Sequence, residues 1–215
     1  MSNAVDLKDC RLYGIVDLSY VSAVDAPRIT RAMIAGGVDL IQLRGKGCSV
    51  EELTALAVEL HAITLQHATP LIINDHAEIA RMVEVEGVHV GQDDLSVAEA
   101  RRIAGRSLLI GKSTHTLAQA KAAEAEGADY IGFGPLFATP TKPDYAPIGL
   151  AEIGEVHREV NLPIFCIGGI KLSNLPEVIA AGARKVVIVS GLLQSKDLAA
   201  TARAAKQLLA TPAPI

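Results

Sequence analysis

Short runs of aliphatic and β-branched residues return eight times along this 215-residue chain, each followed by a polar or glycine turn and then a stretch with helical spacing. The runs are LYGIVD (12–17), LIQLR (40–44), LIIND (71–75), GVHVG (87–91), LLIGKS (108–113), YIGFGP (130–135), PIFCIGG (163–169) and KVVIVS (185–190). Strict alternation of strand and helix implies a parallel sheet, since each crossover returns the chain to the same end. Eight units roughly 25 residues apart predict a closed (β/α)₈ barrel, an α/β TIM barrel. It forms a single domain over 1–215, with 1–10 and 211–215 as loose termini. An open doubly wound sheet is the competitor, but DLSY follows the first strand where a dinucleotide fold would carry GxGxxG.

The helices declare their starts. Ser49 with Glu52 three residues on forms a capping box before an apolar face of Leu53, Leu56, Ala57 and Leu60, and similar starts stand at Ser96, Thr116 and Ser173. Glycines in AGGVDL, VEGVHV, AEGADY and AAGARK suit left-handed helix ends.

Composition narrows the function. With 50% hydrophobic residues, a net charge of -4 and only 3% aromatics, the chain has a core to bury, and neither the charge to bind a phosphate backbone nor the rings to stack bases. Small molecules are the expected partners, with no nucleic acid and no membrane; a homo-oligomer is allowed. Three cysteines, Cys10, Cys48 and Cys166, stand far apart without a CxxC pair, so neither a disulfide framework nor a thiolate zinc site is expected. The N-terminus MSNAVDLKDCRL lacks a leader-like pattern, and no apolar run approaches a membrane span. A cytoplasmic location is expected.

In such a barrel the chemistry gathers at the carboxyl ends of the strands. IQLRGK sets Gln42, Arg44 and Lys46 two apart on one face, either an anion site or two cations leaving for solvent. IINDH sends a buried run into Asn74, Asp75 and His76, where an unpaired carboxylate needs a partner or a cation. Asp75 and Asp94 end adjacent strands, so two hard oxygen donors could share Mg²⁺; equally, each could serve the start of the helix that follows it. The long loop FATPTKPDYAPIG (137–149) offers Thr139, Thr141 and Lys142 to phosphate oxygens and reads as a lid or a plain surface loop. CIGGI with Gly168 and Gly169, and the strand end at Ser190, lie where barrels often bind phosphate, although the glycines alone would also suit a plain tight turn. His89, inside a strand, reads as a core residue. His76 and His115 fall at the rim, and His61, His67 and His157 on helix surfaces. No Ser or Cys nucleophile pairs with a base.

IQLRGK, IINDH, GVHVGQDD, GKSTHT, TPTK, CIGGI and VVIVS, in this order over nearly the whole chain, resemble thiamine phosphate synthase (thiamine-phosphate pyrophosphorylase). The resemblance implies a barrel enzyme, a transferase of thiamine biosynthesis, joining 4-amino-2-methyl-5-pyrimidinylmethyl diphosphate to 4-methyl-5-(2-phosphooxyethyl)thiazole with one Mg²⁺ per subunit. It implies that Gln42, Leu43, Arg44, Gly45, Lys46, Asn74 and Ser113 meet the pyrimidine diphosphate, with Lys142 at the departing pyrophosphate. Asp75 and Asp94 would hold the metal. Thr139, Pro140 and Thr141, with Gly169, Val189 and Ser190, would grip the thiazole phosphate. Arg44, Ser113 and Lys142 are the residues expected to carry catalysis, by a dissociative departure of pyrophosphate that needs no protein nucleophile. Gly45 departs from the family, which usually has an acidic residue there, and an ion pair orienting the neighbouring cations is put in doubt. A related thiazole tautomerase tends to lose the Asn-Asp and Gln-x-Asp-Asp elements, present here as Asn74, Asp75, Gln92 and Asp94. A non-catalytic thiamine phosphate sensor would have no use for leaving-group machinery.

Overall fold

The computed structural model describes residues 6–139 and 146–210. The expected alternation is present: β1 (Leu12–Asp17), α1 (Ala26–Ala35), β2 (Leu40–Arg44), α2 (Val50–Leu65), β3 (Leu71–Asn74), α3 (Ala77–Val83), β4 (Gly87–Val90), α4 (Val97–Ala104) and β5 (Leu109–Thr114). It continues through α5 (Leu117–Ala125), β6 (Tyr130–Phe133), α6 (Ile153–Glu159), β7 (Ile164–Cys166), α7 (Leu175–Ala180), β8 (Lys185–Ile188), α8 (Ser190–Leu193) and α9 (Leu198–Ala210). Each strand pairs in parallel with its neighbours, and β1 pairs with β8 through Tyr13 beside Val187, which closes the barrel.

Strand alternation splits the apolar residues into two cores. Outward-facing Val16, Leu43, Ile73, Val88 and Ile131 pack with helix residues such as Met33, Leu60 and Val156. Inward-facing Tyr13, Ile15, Leu40, Ile72, Tyr130, Phe165 and Val187 fill the barrel, together with Leu7 and Cys10 from the chain before β1. The chain has seven Phe and Tyr residues in all, and three of them stack edge-on in this small interior, with ring centroids 5.4 to 6.1 Å apart.

Residues 6–10 correct the expectation of a loose N-terminus. Leu7 is buried, and the Lys185 ammonium donates to the carbonyls of Leu7, Lys8 and Cys10 at 2.6 to 2.7 Å, fastening this segment across the bottom of the barrel. Residues 1–5 and 211–215 lie outside the described residues. Capping boxes form at Ser49 and Ser96, and Thr116 caps α5. At α7 the N-cap is Asn174, one residue past the expected Ser173, and its amide oxygen accepts from Lys171 N–H instead of capping the helix. Gly37, Gly127 and Gly182 take positive φ as expected, whereas ahead of VEGVHV that conformation falls on Glu84, the C-cap of α3, because Gly87 has already begun β4.

All three cysteines are free thiols. Burial raises the Cys166 thiol to about 12 and, with Asp39 nearby, the Cys10 thiol to about 11. Thiolate is the reactive form. Disulfide-exchange titration at pH 8 is therefore expected to modify half-buried Cys48 in the native protein and to reach Cys10 and Cys166 only after denaturant is added; three thiols reacting at one rate would contradict these burial assignments.

Candidate active site

β1 and β2 pair so that Asp17 stands beside Arg44 at their carboxyl ends. The Arg44 guanidinium donates to Asp17 at 2.7 Å, with both side chains almost entirely buried, and Asp17 also accepts from the backbone N–H and hydroxyl of Ser19. A buried carboxylate with three donors holds its partner in one orientation. Asp17 was absent from the sequence-derived site, although it ends a buried strand in the same way that Asp75 does.

Arg44 and Gln42 line the cavity at this end of the barrel; Leu43 between them points the other way, into the outer core. Gly45 is also buried away from the cavity. A β-carbon there would sit 2.9 to 3.2 Å from Leu53, Leu18 and Cys48 side chains, an apolar setting hostile to a carboxylate. The ion pair put in doubt by Gly45 is supplied instead by Asp17. Lys46 is exposed, and its ammonium lies 3.7 Å from Asp75.

Asp75 follows β3 with φ 65°, a left-handed conformation that turns the chain at the rim. The N-cap of α3 is His76, so Asp75 does not cap that helix, while Asp94 stands two residues before Ser96, the N-cap of α4. Instead the two carboxyl groups come within hydrogen-bonding reach of each other. Burial first, and then Asp94, hold the Asp75 carboxyl above the ordinary range, against the opposing pull of Lys46 and Arg44. Asp94 is aimed by the N–H of Gly91 at 2.8 Å; a β-carbon on Gly91 would lie 2.5 Å from that carboxylate. The neighbouring Gln92 amide donates to the Ser113 carbonyl at 2.5 Å, and Lys112, directed away from the cavity, ties down the Gly91 and Leu95 carbonyls.

Asn74, Ser113, Thr139, Gly168, Gly169, Val189 and Ser190 line the same cavity, whose empty volume is about 870 Å³ with its open mouth included. Its floor is apolar: Tyr13, Ile15, Ile167 and Val187. Gly168 and Gly169 have φ of 102° and 67°, and β-carbons there would lie 2.5 to 2.9 Å from Pro135, Phe137 and Ala138. These glycines admit the loop after β6 as well as leaving backbone open to a ligand. Pro140, Thr141 and Lys142 lie outside the described residues.

Two histidines acquire places that periodicity alone did not give them. His89 faces the lumen, with Nε2 3.0 Å from the Ser113 hydroxyl and Nδ1 3.3 Å from the Tyr130 hydroxyl. His61, expected on a helix surface, is buried and 3.3 Å from Glu86. His115 lines the cavity and bonds the Gly134 carbonyl, while His76 pairs with Glu78.

A closed parallel barrel with buried cation, paired carboxylates and a glycine-rich rim over an apolar floor is the layout of an enzyme that positions and stabilises charged small molecules. The TMP-TENI family model, described as thiamine monophosphate synthase, matches residues 12–192, and the chain belongs to that family, whose synthases are transferases. A thiamine-phosphate synthase of Halalkalibacterium halodurans is 41% identical over 196 residues, covering 91% of this chain and 93% of that one. One of Chloroflexus aurantiacus is 42% identical over 202 residues, with 94% and 93% covered. Among solved structures, a thiamine phosphate pyrophosphorylase from Pyrococcus furiosus superposes with a TM-score of 0.85 at 28% identity, covering 93% of this chain and 95% of that one. A 3-hexulose-6-phosphate synthase from Salmonella typhimurium, at 16% identity and TM-score 0.71, shares the fold alone.

Proposed function

We propose that this chain makes thiamine phosphate in the cytoplasm, joining 4-amino-2-methyl-5-pyrimidinylmethyl diphosphate to 4-methyl-5-(2-phosphooxyethyl)thiazole and releasing pyrophosphate. The observation that carries this reading is the meeting, at one rim, of Arg44 and Lys46 with the facing carboxylates of Asp75 and Asp94. Cations alone would suit any anion. Two carboxylates pressed together beside them suit a diphosphate only if a divalent cation lies between.

The donor set fits Mg²⁺. Both donors are hard oxygens on adjacent strands, the burial of Asp75 beside Asp94 makes a pair of negative charges unfavourable without a cation, and the described residues hold no larger acidic, His or Cys cluster. Such a site leaves room for water and phosphate oxygens, as Mg²⁺ prefers. A bound Mg²⁺ supplies positive charge to diphosphate oxygens as they gain charge on departure.

In the reaction the bond between the pyrimidinylmethyl carbon and the diphosphate oxygen breaks, with the electron pair leaving on oxygen. The thiazole nitrogen lone pair then forms the new C–N bond. Arg44, fixed by Asp17, is placed to meet the developing charge, and the resemblance gives Lys142 the same duty. Asn74 and Gln42 orient the pyrimidine diphosphate, Gly169, Val189 and Ser190 face the thiazole phosphate, and the apolar floor keeps water from the cationic carbon. No base is needed to make a nucleophile.

The test is thiamine phosphate formation from both substrates by the purified chain. Product should appear with Mg²⁺, vanish with EDTA and return on addition of excess Mg²⁺; no product under any condition, or undiminished product in chelator, would overturn the reading.

A further inference from the structure

Five side chains from five strands form a continuous hydrogen-bonded line through the barrel interior. The Gln42 amide nitrogen is 2.6 Å from the Tyr13 hydroxyl, which is 3.2 Å from the Tyr130 hydroxyl. Tyr130 in turn reaches His89 Nδ1 at 3.3 Å, and His89 Nε2 reaches the Ser113 hydroxyl at 3.0 Å. Two ends of the line, Gln42 and Ser113, face the substrate cavity on opposite walls; the phenols between them are buried to within 1% of their surface.

Space is reserved for this line. A β-carbon on Gly111 would lie 2.2 Å from Tyr130 Cζ and 2.5 Å from both the Tyr130 hydroxyl and His89 Nδ1. The glycine in GKSTHT therefore leaves the place that the phenol and imidazole occupy. Burial raises both phenols above their ordinary range, so each remains a neutral O–H that can donate one hydrogen and accept another.

Distance leaves either phenol free to be the donor between Tyr13 and Tyr130, and satisfying every donor in the line selects one direction. An amide N–H₂ can only donate, so Gln42 gives a hydrogen to Tyr13. Tyr13 passes its own to Tyr130, and Tyr130 passes its own to His89 Nδ1. A neutral imidazole accepting at Nδ1 carries its hydrogen on Nε2, which donates to the Ser113 oxygen. The Ser113 hydrogen is left to point into the cavity.

We propose that Tyr13 and Tyr130 are positioning residues for the synthase reaction: their one-way line from Gln42 sets His89 as the Nε2–H tautomer and presents Ser113 to the substrate as a hydrogen-bond donor. The kinetic part rests on the proposed function; the tautomer does not.

Both parts are open to measurement on the full chain. With ¹⁵N-labelled histidine, and His89→Gln to assign the signal, long-range ¹H–¹⁵N correlation should show the wild-type His89 proton on Nε2. Tyr130→Phe should move the Nδ1 resonance downfield as its hydrogen bond is lost. Tyr13→Phe leaves the Tyr130–His89 contact in place and should move that resonance the same way by less. Tyr130→Phe is expected to lower kcat about 3- to 10-fold, the scale of one neutral hydrogen bond, and to cause no further loss in a Ser113→Ala background. A wild-type proton on Nδ1, an Nδ1 resonance indifferent to Tyr130→Phe, or losses that multiply with Ser113→Ala would overturn the proposal. The wild-type spectrum decides the direction of the line even if a variant does not fold. An Nε2–H tautomer in a chain that forms no thiamine phosphate would sink the function and leave the line standing.

Discussion

Arg44→Ala is expected to lower kcat about 10²- to 10³-fold, the scale for removing one preorganised donor from developing negative charge. It should also destabilise the fold, because Asp17 is left in the barrel wall with its cation gone. Breaking a buried pair from one side typically costs about 3–5 kcal/mol. The two effects need separating, since a loss of activity through unfolding would say nothing about catalysis. Arg44→Met combined with Asp17→Leu removes both charges and refills the space with apolar side chains, an exchange that is often neutral in stability. The double variant should therefore unfold in urea near the wild-type midpoint while remaining as inactive as Arg44→Ala. Arg44→Lys keeps a charge but not the planar fork that Asp17 orients, and its turnover should lie between wild type and Arg44→Ala. If Arg44→Ala changes turnover less than threefold at saturating substrate, or if the double variant recovers activity with stability, Arg44 serves the fold and not the leaving group.

The barrel was legible in the sequence because its strands are buried on both faces and read as unbroken aliphatic runs, and because polar residues collect after each run at one rim. Position alone put Gln42, Arg44, Asn74, Asp75 and Ser113 at that rim, but it left Gln42, Arg44 and Asp75 with competing readings, and the substrate roles came only from the resemblance. What escaped was anything decided across strands. Asp17 sits 27 positions before Arg44, and only the register of β1 against β2 makes them partners. His89 looked like a core residue because Val88 and Val90 flank it, and period-two alternation does not tell the outer core from the lumen when both are apolar. Leu43 shows the same limit from the other side: it lies within the motif but faces the helices. The fastening of residues 6–10 depended on Lys185, whose ammonium is drawn to three carbonyls from the far end of the chain.

Asp94→Asn is expected to abolish Mg²⁺-dependent turnover, by at least about 10²-fold, while raising the melting temperature of the metal-free protein at pH 7. The two signs are opposite for one physical reason. Asp75, half-buried against Asp94, has its carboxyl raised above the ordinary range, so at neutral pH its charged form is disfavoured in the folded chain. A folded pKa above the unfolded one gives a contribution that is full at acid pH and lost as pH rises through the folded value. Above that folded value the contribution is gone, and the facing negative charges oppose folding. Asparagine at 94 removes one of them and keeps an oxygen to accept from Gly91 N–H. Relief of roughly 1 kcal/mol would appear as a rise of about 2–4 °C in a chain of this length. The gap from wild type should close in acid, once Asp75 takes up its proton. Mg²⁺ should reverse the order at pH 7, raising the wild-type melting temperature with concentration and leaving Asp94→Asn almost unmoved, as the proposed sharing of the ion by the native pair requires. Calorimetry across pH and Mg²⁺ concentration reads all of this without substrate. A wild-type transition indifferent to Mg²⁺, beside an Asp94→Asn variant with wild-type turnover, would show that the two carboxylates meet for some reason other than holding a cation.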